Sequence, residues 1–311
     1  MLRPFDWRDL LKLYRYRHQS IYLNNALMAT RAPELIPSVL LSYLSPSMGR
    51  FTWIMSDLYD NAIPLIGQFT HAEASHTALL AFLTPKNALD SSRTPKLITL
   101  LAKQAGQRGA FHLLADVEED TTIFEILRKV GFSVSAHQRV WQWNRKLPDS
   151  HRDYNWKTTR PVDIIPLRSL YRKTIPKPII QIEPLQTTPL KGLVYYRETQ
   201  AMGYAKIKYG HGGIWVQPCF HPDMDDVNSI IIDLLNSIPE RRARPLYLCV
   251  RDYQPNLEPA LNALEWIPSP KQVFMVKHLV ARHKIITDFK IPNLNGQPEA
   301  SIPITQSKRN T

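Results

Sequence analysis

The chain has 311 residues, 44% of them hydrophobic and 21% charged, which suits two hydrophobic cores at the usual size of roughly 100 to 200 residues per domain. Its net charge of +12 is spread evenly, with 17 Lys and Arg against 12 Asp and Glu in residues 1–147 and 22 against 15 in the remainder. That evenness excludes a continuous basic stripe for nucleic acid, and no apolar run approaches the roughly 20 residues that span a bilayer.

The opening MLRPFDWRDLL carries charges where a signal peptide has its apolar region, so a cytoplasmic location is expected. Cys219 and Cys249 read as reduced, partly buried thiols.

Taken in order, residues 3–5 read as a short strand. Residues 6–18 then form a helix that places Leu10, Leu11, Leu13 and Tyr14 on one face, with Asp6 as its N-cap. A second helix is expected over 34–43, and strands over 51–56, 62–70 and 77–84. Thr94-Pro95 starts a helix as a capping hydroxyl followed by proline. A strand over 111–117, a helix from Thr121 or Thr122 to Val130 and a final strand ending at Trp143 follow, with Trp141 and Trp143 on one face and packed in a core.

Residues 145–158 lose all periodicity and read as a linker. The order then repeats: a strand over 162–165, a helix through Leu167, Leu170 and Tyr171, a proline-broken segment over 173–189, and strands over 193–198, 201–209 and 213–217. A helix over 225–237, a strand over 245–250, a helix over 256–264 and a last strand over 273–280 complete it, before a polar tail expected to be disordered.

The chain is therefore read as a duplication. Arg3-Pro4, Asp6, Leu10 and Leu13-Tyr14-Arg15 recur 157 positions later as Arg160-Pro161, Asp163, Leu167 and Leu170-Tyr171-Arg172. The closing modules overlay at an offset of 134, matching Leu114 with Leu248, Leu127 with Leu261, Ser135 with Ser269 and Gln138 with Gln272. The second copy is thus shorter by 23 residues, the size of a missing second helix. The expected division is 1–146, a linker over 147–158, a second domain over 159–283 and a tail over 284–311.

This element order, the opening Arg-Pro-x-Asp with its Leu-x-x-Leu-Tyr-Arg helix, and Gly131-Phe132 and Glu265-Trp266 near each end resemble the GNAT superfamily of N-acetyltransferases. The resemblance implies an α/β (α+β) chain of two tandem domains, each a mixed central sheet flanked by helices. It also implies transfer of an acetyl or other acyl group from acyl-CoA to an amine. In that family the pantetheine lies in a splay between the fourth and fifth strands, and the pyrophosphate sits on amides at the start of the following helix, reached through a glycine-rich loop.

Neither corresponding loop here, 85–95 or 218–226, contains glycine, and each contains two prolines, which lack an N–H. Ser91, Ser92, Arg93 and Thr94 offer side chains to a phosphate, and equally to ordinary capping; Asp225 and Asp226 place negative charge where a pyrophosphate would sit. Trp215, Val216 and Gln217 lie in a run, Ile214 to Pro218, that resembles the family's pantetheine-binding strand.

The family's usual acid, a tyrosine four residues before Gly-Phe, is replaced by Leu127 and Leu261, leaving Tyr253 and His221 as candidate catalytic groups. Glu118, Glu119 and Asp120 form an acidic loop suited to a cationic amine. Cys219-x-His221-x-Asp223 is too thin a constellation for a metal, and none is expected. Two readings follow: an acyl-CoA-dependent N-acyltransferase acting on a small-molecule amine or a protein, or a non-catalytic scaffold or binding module that has lost the pyrophosphate loop. Neither nucleic acid nor membrane is an expected partner, and the two domains are expected to pack within one chain.

Overall fold

The structure is a computed structural model that describes residues 2–31, 39, 48–56, 63–73, 75–89, 92–145, 155–187, 189–239, 241 and 244–279. The helix expected over 34–43 apart from residue 39, residues 147–154 of the linker and the polar tail lie outside the described residues.

The first repeat runs β1 (Leu2–Pro4), a 3-10 turn Trp7–Asp9, α1 (Leu10–Tyr16), β2 (Ile21–Tyr22), α2 (Asn25–Arg31), β3 (Arg50–Met55), β4 (Leu65–His71), β5 (Thr77–Thr84), α3 (Arg93–Gln107), β6 (His112–Glu118), α4 (Thr122–Lys129) and β7 (Ser133–Trp143). The second runs β8 (Trp156–Thr158), a 3-10 turn Pro161–Asp163, α5 (Ile164–Thr174), α6 (Lys177–Ile182), β9 (Leu193–Arg197), β10 (Gln200–Tyr209), β11 (Ile214–Phe220), α7 (Val227–Ser237), β12 (Leu246–Arg251), α8 (Leu257–Ala263), β13 (Ile267–Pro268) and β14 (Gln272–His278). The expected order holds twice. The shorter second copy nevertheless keeps a short helix, α6, where none was expected.

The strands join into one sheet in the order β1-β3-β4-β5-β6-β14-β7-β12-β11-β10-β9-β8, with β2 on β5 and β13 on β7. The final strands cross over. β14, the end of the second repeat, pairs antiparallel with β6 of the first, from Gln272 opposite Glu118 to His278 opposite His112. β7, the end of the first, pairs antiparallel with β12 of the second, from Leu246 opposite Trp143 to Arg251 opposite Gln138.

The cores follow the exchange. Trp141 and Trp143 are buried as expected, but among Leu246, Leu248, Val250 and Trp266 of the second repeat. Val273 and Met275 of β14 pack with Leu97, Leu101, Leu113 and Leu127 of the first. Each repeat's largest apolar layer thus contains its partner's last strand, and burial of this kind is the dominant favourable term in folding.

Local chemistry sets the entry of each repeat. The Asp9 carboxylate accepts the Asp6 N–H at 3.1 Å and is gripped by both guanidinium nitrogens of Arg3 at 2.7 and 2.8 Å. Asp163 accepts the Arg160 N–H at 2.6 Å and the Tyr196 hydroxyl at 2.8 Å. Asp9 and Asp163 are therefore the equivalent caps, so the repeats align at 154 positions rather than 157. In that register Leu13 matches Leu167, and both are fully buried.

Other departures stand beside this three-residue slip. Leu11 and Tyr14 are exposed rather than packed, the first strand of the second repeat is Trp156–Thr158 rather than 162–165, and residues 161–165 are helical. Thr94 does not cap α3. That helix begins at Arg93, and Thr94 sits buried in its first turn.

Candidate functional site

In each repeat the strands on either side of the long helix run parallel and pair only where they begin. Thr77, Ala78 and Leu79 pair with His112, Leu113 and Leu114. Ile214, Trp215 and Val216 pair with Leu246, Tyr247 and Leu248. Beyond those residues each pair separates, leaving a wedge at the place where the family holds pantetheine.

The chain itself occupies both wedges. In the first, β2 lies antiparallel against the open edge of β5, with Ile21 opposite Leu83 and Tyr22 opposite Phe82. Leu23 N–H then donates to the Ala81 carbonyl at 3.0 Å, and the Leu23 carbonyl accepts Asp116 N–H at 2.9 Å, so one residue bridges both walls. In the second wedge a single side chain suffices. Gln254, 7% exposed, accepts Phe220 N–H through Oε1 at 2.9 Å and donates from Nε2 to the Pro218 carbonyl at 3.0 Å. These are buried backbone groups that would otherwise need a partner from a ligand.

The helix starts are similarly self-satisfied. Residues Lys86–Ala88 form a 3-10 turn, and Ala88 and Leu89 are buried, so the first loop folds inward instead of presenting amides. Of the residues expected to meet phosphate there, Ser92 is exposed without a capping bond, Arg93 donates to the Ile63 carbonyl at 3.0 Å, Thr94 is fully buried, and Ser91 lies outside the described residues. In the second loop the Asp226 carboxylate caps α7 by accepting Ser229 N–H at 3.3 Å, and Asp225 pairs with Arg197 at 3.3 Å. A pyrophosphate at that helix start would meet a carboxylate already in place.

Trp215 packs against Ala26 and Ala29 of α2, and Val216 lies in the second core, so neither side chain faces an open slot; Gln217 is half-buried. His221 and Tyr253 are brought together as lining of one cavity of ≈ 130 Å³ beside the Gln254 plug. His221 accepts Asp223 N–H at Nδ1, 3.2 Å away, and its Nε2 lies 3.4 Å from the Gln200 amide nitrogen. Burial pushes the Tyr253 phenol up to about 12, keeping it protonated through the neutral range. Leu127 and Leu261 are both fully buried. Cys219 is buried among Tyr171 and Tyr204, whereas the Asp223 side chain, 87% exposed, brings its carboxylate to 3.7 Å from His221 Nδ1.

Sequence reasoning missed the polar network at the seam between repeats. Gln138 donates to Asp116 Oδ1 at 2.8 Å and accepts from Arg251 Nε at 3.3 Å, while Asn25 donates to Gln272 at 2.6 Å. Arg251 pairs with Glu183 at 2.7 Å and lies over the Phe274 ring, 4.1 Å from its centroid. Burial disfavours the Asp116 carboxylate and raises its pKa, against the Asn25 N–H, Arg251 and Gln138. The matched pair Gln138 and Gln272 in the 134-residue offset was the signal that could have located it. At the mouth of the first wedge a cavity of ≈ 510 Å³ remains, lined by Tyr22, Asn25, Lys86, Asp116, Glu118 and Asp120 among others.

No protein-family model and no curated protein sequence matches the chain. Solved structures do. A GCN5-related N-acetyltransferase from Sphaerobacter thermophilus superposes with a TM-score of 0.57 at 10% identity, covering 89% of this chain and 95% of that one. A tandem GNAT protein from the clavulanic acid biosynthesis pathway, solved without AcCoA, superposes with a TM-score of 0.52 at 11% identity, covering 89% and 98%. The fold is therefore that of GNAT N-acetyltransferases, in tandem. Among the described residues no helix is long and apolar enough to cross a membrane.

Proposed function

We propose that this chain is a non-catalytic tandem GNAT-fold protein, a binding module in which both acyl-CoA slots have been taken over by its own residues. One observation carries this reading: Leu23 in the first wedge and Gln254 in the second make the backbone hydrogen bonds that an inserted pantetheine arm would make. The glycine-free loops and the buried Leu127 and Leu261 support it from the sides of phosphate binding and proton supply. The space left for a ligand is the ≈ 510 Å³ mouth of the first wedge, within the usual range for small-molecule sites. Its carboxylates, Asp116, Glu118 and Asp120, outnumber Lys86 in the same lining and suit an amine-bearing small molecule.

A second reading, acyl transfer from acyl-CoA to an amine, is favoured by the placement of His221 and Tyr253 on one cavity of the second wedge. Calorimetric titration separates the two. Our reading expects no heat from acetyl-CoA or CoA at high-micromolar ligand, and expects heat to appear in Gln254→Ala if the plug alone blocks the slot. Micromolar binding by the unaltered chain, with an acetylated amine as product and loss of that product in Tyr253→Phe, would overturn it.

A further inference from the structure

A third cavity, of ≈ 460 Å³, lies where the repeats meet away from both wedges. Its walls are α2, the start of β3, the end of β4, the end of β10 and the segment before β9, and its lining carries Arg31, Arg50, Lys191 and Lys208 with no acidic side chain. None of these four cations makes an ion pair or side-chain hydrogen bond with any described residue. Surface cations are usually free, but Arg50 is half-buried: its Nη1 is sealed from solvent and has no hydrogen-bond acceptor. A guanidinium nitrogen without water or partner is poorly solvated, which favours a turn of the side chain that brings it to an anion in the cleft.

We propose that this cleft binds a small phosphate-bearing polyanion, with the half-buried Arg50 as the anchor and Arg31, Lys191 and Lys208 closing round it. Four cations against an acid-free wall match a diphosphate better than a single carboxylate, and the forked Arg50 and Arg31 suit bidentate contact with phosphate oxygens. Crowding supports this. Burial and the neighbouring Lys206 push the Lys208 ammonium down to about 8, against Glu183 and Asp116 behind it, although the side chain remains open enough to water to temper the effect. Thr70 adds a hydroxyl to the same lining, while the buried Thr30 hydroxyl is spent on the Ala26 carbonyl at 2.6 Å.

The cleft is assembled from both repeats: Arg31, Arg50 and Thr70 come from the first, Lys191 and Lys208 from the second. Occupation would therefore tie α2 to β10 and stabilise the pairing of the repeats by mass action. The site shares no lining residue with either wedge cavity, so it stands or falls independently of the proposed function.

The test is titration of the full chain with pyrophosphate, with orthophosphate and chloride as controls, followed by calorimetry and by thermal unfolding. Micromolar to sub-millimolar binding of pyrophosphate is expected, with a raised midpoint of unfolding. Arg50→Gln should weaken it at least tenfold, and the exposed Lys191→Gln, which leaves the sheet untouched, should weaken it severalfold and steepen no other transition. Absence of heat with millimolar pyrophosphate would overturn the proposal. So would equal binding by Lys191→Gln and Arg50→Gln, or a chloride response of the same size, since each would leave only a solvated basic surface.

Discussion

Gln138 and Gln272 stand opposite one another across the antiparallel pair of β7 and β14. They are also each other's counterparts in the 134-residue offset that relates the closing modules. A residue that pairs with its own duplicate lies on the local two-fold axis, so the seam of the molecule runs between these two amides. Their outer ends reach Asp116, Arg251 and Asn25, which converts a repeat of sequence into a buried polar lock.

Replacing Gln138 with Leu removes the donor to Asp116 and the acceptor for Arg251 while keeping most of the volume. The half-buried Asp116 and the buried Arg251 then each lose a bond, and a loss of about 1–3 kcal/mol in urea denaturation is expected. Gln272→Leu, which strands only Asn25, should lose less. Equal and negligible losses would mean that water replaces both amides.

Glu183 makes the lock sensitive to acid. Burial opposes its charge, but Arg251, Lys206 and Lys208 overcome that and hold the carboxyl down to about 2. A folded-state value below the unfolded one near 4.5 gives stability that is fully present above about pH 4.5 and is lost as pH falls towards 2. Glu183→Gln should therefore flatten the stability profile over that interval. At neutral pH it should destabilise by about 3 kcal/mol, the low end for a broken buried pair, because the Glu183 side chain keeps 22% exposure.

Most elements were legible because their apolar periods are clear: β5, α3, β6 and α4 fall within a residue or so of expectation, as do β12 and α8, while β11 runs three residues further than expected and α7 begins two later. The duplication was legible too, but its opening register slipped by three. Leu-x-x-Leu in a helix matches itself after nearly one turn, and only the hydrogen bonds of Asp9 and Asp163 decide between 154 and 157. The strand exchange could not be read, since β7 and β14 carry the same alternation whichever repeat they join. The wedge plugs were hidden for a related reason. Leu23 acts through its backbone, which leaves no trace in residue type, and Gln254 looks like any loop glutamine until its amide is placed on Pro218 and Phe220.

Gly67 tests how closely the first core is packed against α3. A Cβ built there would meet Leu101 Cδ1 at 2.8 Å, Leu83 Cδ2 at 2.9 Å and Leu97 Cδ2 at 3.3 Å. All three leucines are buried, so they have little room to retreat. Gly67→Ala should destabilise by about 1–3 kcal/mol, as overpacking does in a well-filled core. Gly109→Ala offers the control: its added Cβ meets nothing within 4 Å, and any loss there comes from its φ of +92° alone.

The exchange of final strands makes the most demanding prediction. The first repeat without β14 would expose the edge of β6 and the apolar contacts of Val273 and Met275, and the second without β7 would expose β12 and lose Trp141 and Trp143. A bare, apolar central edge is an aggregation site rather than a tolerable surface. A fragment of residues 1–145 and one of 155–279 should therefore each fail to give a cooperative unfolding transition alone. Mixed during refolding, they should recover one, because every strand pair of the seam then has its partner. The intact chain should unfold in a single step, with far- and near-ultraviolet circular dichroism changing together. Two separated transitions, or a soluble and cooperative fragment of 1–145, would show that the crossed strands add to two cores that already stand without them.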